Sequence, residues 1–164
     1  APGLATGAAA LMLYRGSFDG GCFCGAVRYR FADVFDAGYC HCTLCRRSSG
    51  AALMAFANTP ASGFHVMAGT PRFVATSAEF ERAFCGGCGT VMFTRSIDPA
   101  RWDMVSVHLG TIDHGALIEP AMHLCHADRL PWLHVADALP RFAHANPPPP
   151  ASCAAARAAA LREA

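Results

Sequence analysis

Seven of the nine cysteines in this sequence fall into three tight clusters: Cys22-Phe23-Cys24, Cys40-His41-Cys42-Thr43-Leu44-Cys45 and Cys85-Gly86-Gly87-Cys88. Thiolate sulfur offered in close pairs and triplets suits a soft, tetrahedral ion, zinc above all. Two pairs make a closed four-sulfur site. The triplet, given an ion of its own, is one ligand short, and an unfilled position on zinc is where chemistry is usually done.

Cys85-Gly86-Gly87-Cys88-Gly89 reads as a knuckle. Its glycines tolerate positive φ, so backbone N–H groups can turn toward the sulfurs and spread their charge. A redox C-x-x-C would open a helix within a βαβ unit, whereas the runs flanking this one are β-capable. Cys22 and Cys24 precede the most regular strand pattern in the chain. In an extended segment, residues i and i+2 share a face, so both sulfurs can reach one ion while Phe23 points away. Joined, the two pairs close a four-cysteine site across 60 intervening residues. A loop that long is closed favourably only with the metal in place, so the site is read as structural.

Cys40-x-Cys42-x-x-Cys45 can bind one ion unaided, the C-x-C part sharing a face and the C-x-x-C part turning the chain to bring the third sulfur. His41, between ligands, should point to the opposite side. Spacing leaves two readings open. The fourth corner takes water or an exogenous thiol, or else Cys125, His123 or another residue closes a second structural site. An open zinc on three cysteines would hold a bound thiol as thiolate near neutral pH, placed to attack a small carbonyl. Arg46 and Arg47 follow at once and could fork onto the carboxylates of an anionic thiol such as glutathione. Solvated surface charge is the alternative for each.

The elements that must hold these clusters read mainly as short strands. Ala26–Phe31 alternates apolar and polar residues, and Leu53–Ala57, Arg72–Thr76, Ala83–Cys85, Thr90–Thr94 and Met104–Gly110 are β-capable. Turn residues separate them, as in Asn58-Thr59-Pro60, Ser96-Ile97-Asp98-Pro99 and Asp113-His114-Gly115. A brief helix is expected only over Thr43–Ala51, with one turn at Pro99–Asp103. Residues 1–15 read as an unstructured extension lacking the basic start of a secretion signal, 16–142 as the domain, and 143–164 as a Pro/Ala-rich tail in which Cys153 is a spectator.

Composition narrows the partners. The 164 residues carry 13 Lys+Arg against 12 Asp+Glu, a net charge of +1, which gives no electrostatic case for nucleic acid or an anionic membrane. No apolar run approaches the ~20 residues of a bilayer span. An odd number of cysteines, clustered rather than dispersed, suits metal binding in a reducing, cytoplasmic setting better than a disulfide framework.

Gly20-Gly21-Cys22-Phe23-Cys24-Gly25-Ala26-Val27-Arg28-Tyr29, then Cys40 to Arg47, then Phe84-Cys85-Gly86-Gly87-Cys88-Gly89, resembles the glutathione-dependent formaldehyde-activating (GFA) family. Asp128-Arg129-Leu130-Pro131-Trp132-Leu133 and Leu139-Pro140-Arg141-Phe142 look like its C-terminal signature, so the likeness runs from about Gly16 to Phe142. The resemblance implies an Mss4-like fold, a mainly β tent of small antiparallel sheets organised by zinc with little helix. It implies two zinc ions per chain: a structural one on Cys22, Cys24, Cys85 and Cys88, and a second on Cys40, Cys42 and Cys45, where glutathione is handled. The implied activity is that of an S-(hydroxymethyl)glutathione synthase, a carbon–sulfur lyase, with a small-molecule thiol and aldehyde as partners; a homo-oligomer is compatible with it. It places His123 at a pocket-lining position. Cys125 stands where the resemblance leads one to expect an aromatic residue, and it reads either as a core thiol or as an extra ligand or reactive thiol. No general base stands out, and His108, His114 and His126 receive no role. The alternatives are a non-catalytic glutathione- or protein-binding zinc module and a purely structural two-zinc protein.

Overall fold

The structure is a computed structural model that describes residues 14–145. Most of the expected N-terminal extension, the Pro147–Pro150 block, Cys153 and the Ala-rich end lie outside the described residues. The remainder is mainly β. Strands β1 (Tyr14–Gly21), β2 (Arg28–Val34) and β5 (Phe64–Ala68) form one sheet in the order β1-β2-β5. The second sheet takes β3 (Asp36–Cys40), β4 (Met54–Pro60), β6 (Arg72–Ala75), β7 (Phe80–Phe84), β8 (Val91–Ser96), β9 (Met104–His108) and β10 (His123–Leu124). Its order is β10-β3-β4-β9-β8-β7-β6, and all its pairings are antiparallel except β10 on β3. The single α-helix of the described residues, α1 (Thr43–Ser49), stops two residues before the expected end because Gly50 takes a left-handed cap at φ 70.

The best strand pattern sits where expected but two residues later, over Arg28–Val34, since Cys22–Val27 are spent in a turn. Tyr29 and Phe31 point inward by simple alternation, and Asp33 at φ 59 shifts the count so that Val34 does too. These side chains meet Ala57, Met92, Phe93 and Val107 in the main core. Phe64 and Phe93 pack with ring centroids 4.5 Å apart, and Tyr29 stacks on Phe64 at 5.4 Å. A second, smaller cluster is built from Cys40, Cys45, Met54 and Phe56, so the cysteine triplet carries its own apolar floor. No helix among the described residues is long and apolar enough to cross a membrane.

Sequence patterning did not single out β3. Its Asp-Ala-Gly-Tyr-Cys composition is poor strand material, and what makes it a strand is its place between β10 and β4. Gly38 permits that closeness: a Cβ there would stand 2.9 Å from Met122 Cγ and 3.2 Å from Phe56 Cζ.

The start of β3 offers a test of burial. Asn58 Nδ2 donates to Asp36 Oδ2 at 3.3 Å, yet burial outweighs that bond and pushes the Asp36 carboxyl up to about 6. A folded-state value above the unfolded one means the stabilising form is the protonated acid. Its contribution is full below about pH 4 and is lost as pH rises through about 6. At pH 8 the ionised group therefore costs up to about 3 kcal/mol, roughly two pK units. Asp36→Asn, which keeps the shape and an acceptor, is expected to raise stability by about 1–3 kcal/mol at pH 8 and about half as much at pH 5. Urea midpoints at the two pH values measure this; equal midpoints for both proteins at pH 8 would show that the carboxylate is well solvated in the fold.

Candidate metal centres

The first centre lies where two turns meet. One joins β1 to β2 and carries Cys22 and Cys24; the other joins β7 to β8 and carries Cys85 and Cys88. The turns are built alike. Cys22 N–H bonds Val27 O at 3.0 Å, Cys85 N–H bonds Thr90 O at 3.0 Å, and the glycine after each second cysteine, Gly25 and Gly89, has φ of 77 and 76. Positive φ thus falls after the pair in each turn. Cys22 and Cys24 sit in a turn rather than on an extended segment, though Phe23 points away as expected, 93% exposed. The four sulfurs lie within 4.8 Å of one another, with Cys22–Cys24 at 3.6 Å and Cys24–Cys85 at 3.8 Å. A tetrahedron with Zn–S of about 2.3 Å has S···S edges of about 3.8 Å, so the donor set fits that ion.

Further donors ring this cluster. Val27 N–H points at Cys22 Sγ (3.2 Å) and Gly87 N–H at Cys85 Sγ (3.4 Å). The Thr90 hydroxyl, 3.2 Å from Cys88 Sγ, is the chief reason that thiol is held down to about 5. Phe23 N–H also bonds Thr90 Oγ1 at 3.1 Å and ties one turn to the other. The cluster therefore joins the three-stranded sheet to the seven-stranded one.

The second centre belongs to one short segment. Cys40 ends β3, Cys42 is the N-cap of α1, and Cys45 lies in its first turn; their sulfurs also fall within 4.8 Å of one another. Cys42 Sγ accepts the Cys45 N–H at 3.3 Å, a capping bond made by sulfur. Three thiols this close share charge unevenly. Bonds from Cys40 first, then Cys45, hold the Cys42 thiol down to about 2, while Cys42 and burial drive Cys40 far up. A divalent cation removes that conflict by taking all three as thiolates, so this set too can hold a metal ion.

Sequence expectations for the neighbours separate here. His41 turns away from the sulfurs and is 1% exposed. Its Nε2 lies 2.8 Å from His123 Nδ1, and His123 Nε2 is 3.0 Å from Asp137, which Arg141 also holds at 2.9 Å. The carboxylate can only accept, so His123 donates Nε2–H to Asp137 while its Nδ1 meets His41 Nε2. His123 therefore lines no open surface but backs the triplet loop from behind, itself 1% exposed. Burial holds His41 down to about 4, so it is neutral at pH 7. His126, given no role by the sequence, packs edge-on against His41 at 5.3 Å.

Arg46 is committed to the loop, donating from Nε to His41 O at 3.0 Å and from Nη2 to Asp128 O at 3.4 Å. Arg47 is exposed, and no hydrogen bond or ion pair holds it among the described residues. Cys125 is half-buried at φ 53 and packs on the small core of Cys40 and Cys45, outside the compact set of three sulfurs. Burial pushes its thiol up. The residue that sequence reasoning missed is Arg82 on β7, 4% exposed, whose Nη2 donates to Cys45 Sγ at 3.4 Å. Counting by twos from Phe80 puts Arg82 on the face of Phe80 and Phe84, which was the available signal. A groove of about 550 Å³ runs from the last turn of α1, at Ser48, Ser49 and Gly50, to Phe23, Cys88 and Thr90. It borders the four-cysteine turns rather than the triplet sulfurs.

Comparison with known proteins bears on the same residues. The sequence profile described as "Glutathione-dependent formaldehyde-activating enzyme" matches residues 17–128, about two thirds of the chain. No curated protein matches. Among solved structures, a Rhodobacter sphaeroides protein is similar at 20% identity and a TM-score of 0.48, over 76% of this chain and 99% of that one.

Proposed function

The chain belongs to the glutathione-dependent formaldehyde-activating family, and on that premise we propose that it joins a thiol, glutathione, to formaldehyde or a related aldehyde at Cys40, Cys42 and Cys45. The observation that carries this reading is the count: four sulfurs converge at one centre and three at the other. Zinc held by three thiolates would supply Lewis acidity and a fourth position on which a thiol loses its proton near neutral pH. The substrate sulfur then bonds to the carbonyl carbon, and the aldehyde oxygen takes up a proton to give the S-hydroxymethyl product.

The chain's own side chains prepare that event. Cys42, as N-cap, and Arg46, bonded to His41 O and Asp128 O, fix the loop on which the sulfurs ride. The His41–His123–Asp137 chain fixes it from behind. Arg47, exposed two residues after Cys45 on α1, is free to meet a substrate carboxylate. The four-cysteine centre has the structural role, and the domain is taken as residues 16–142. All eight described cysteines are free thiols, in keeping with a reducing, cytoplasmic setting.

A carrier that binds the thiol without turnover is the second reading, and one observation favours it. The imidazole nearest the triplet in sequence, His41, is bonded to His123 and cannot serve as a base at the sulfurs. Adduct formation from glutathione and formaldehyde, measured with protein far below substrate concentration, separates the two. Acceleration over the uncatalysed rate, proportional to protein, is expected of the enzyme. Stoichiometric thiol binding with no acceleration would establish the carrier.

A further inference from the structure

Arg82 is buried, 4% exposed, and no carboxylate among the described residues forms an ion pair with it. A buried charge without a counter-charge costs several kcal/mol. Its Nη1 donates to Thr76 Oγ1, its Nη2 to Cys45 Sγ at 3.4 Å, and its Nε has no partner at all. His108, the titratable neighbour on β9, brings no counter-charge: burial, with Arg82 adding to it, holds that imidazole down to about 4 and keeps it neutral. Its Nε2 too is buried without a partner. The negative charge within reach is that of the cysteine triplet.

We infer that Arg82 is the counter-ion of the triplet centre, offsetting the excess negative charge of three thiolates on a divalent cation and holding Cys45 in place. This rests on a metal at the triplet, as proposed above. A divalent ion with three thiolates carries one net negative charge, and a fourth thiolate brings a second. A fixed guanidinium beside Cys45 favours that added anion more than it favours neutral water. Arg82 is thus a positioning residue, acting through Cys45 rather than on substrate. Arg82 stands three residues before Cys85 on the strand that leads into the four-cysteine turn.

The test is zinc competition against a chelator of known affinity, resolving the two sites in wild type, Arg82→Met, Arg82→Gln and Arg82→Lys. The neutral variants are expected to lose about 10–100-fold in zinc affinity at the triplet. They should keep the four-cysteine zinc, and Arg82→Lys should recover most of the loss. A merely structural role would lower the melting temperature without moving that affinity. Neutral variants that hold both ions as tightly as wild type would overturn the inference while leaving the proposed function standing. Should the neutral variants fail to fold, Arg82→Lys decides: affinity within about threefold of wild type supports a charge role, and a tenfold loss refutes it. A wild-type protein that binds one ion would remove the proposed function and this inference together.

Discussion

Cys85→Ser is expected to cost the protein its cooperative fold along with its tightly held zinc. Cys85 is 2% exposed and ends the run from β7 into the four-cysteine turn. Its sulfur is 3.8 Å from Cys24, on the turn of the other sheet. The two sheets share a core, but this cluster ties their turns together across some 60 residues of chain. Structural zinc sites contribute on the order of 10 kcal/mol or more at neutral pH, which matches or exceeds the ~5–15 kcal/mol total stability of a domain. Removing one of four ligands also leaves three thiols crowded around a buried hydroxyl. A loss on the order of 5 kcal/mol or more follows, enough to unfold a typical domain at 37 °C. Thermal unfolding by circular dichroism, paired with zinc analysis, measures it. A sharp transition within a few degrees of wild type, in protein that has lost this zinc, would show that the apolar core alone holds the sheets.

Cys42→Ser should have nearly the opposite profile. Serine is a good N-cap, so α1 keeps its first hydrogen bond and the helix should survive. The triplet closes a loop of only a few residues, so losing its ion returns little chain entropy, in contrast to the long loop closed by Cys85. Stability is expected to fall by about 1 kcal/mol or less. Function should fall far more: zinc drops from two per chain to one, glutathione binding disappears, and any acceleration of adduct formation falls at least about 100-fold. Two zinc ions retained with activity intact would mean that Cys42 is only a helix cap, and that other ligands hold the second ion.

The sequence made the division of the cysteines readable because ligand spacing is a local property. A C-x-x-C with glycines forms its turn wherever it stands, and Cys42 to Ser49 contains what it needs to start a helix. β-Rich character was legible for the same reason, since the alternation of Arg28–Phe31 and the β-capable run Val91–Thr94 are written within each strand. What stayed hidden depends on distant partners. β3 is a strand because β4 and β10 flank it, and no feature of Asp36–Cys40 announces that. His123 read as a pocket residue; instead Asp137 and the chain from Pro140 to Phe142 draw it under the triplet loop. Arg82 drew no reading from the sequence, and only its burial against Cys45 marks it out. Cys125, read either as a core thiol or as an extra ligand or reactive thiol, packs against the triplet's small core and outside the set of three sulfurs.

The central claim is that the triplet holds a metal with a position open to an external thiol, while the four-cysteine centre is closed. Cobalt substitution followed by glutathione titration reads both at once, because sulfur-to-cobalt charge-transfer bands report the number of thiolates at each ion. Glutathione should intensify and shift the bands of one ion per chain, the change should saturate at one thiol per chain, and Cys42→Ser should abolish it. A spectrum with two cobalt ions bound that stays unchanged up to saturating glutathione would contradict the claim and leave two closed, structural centres.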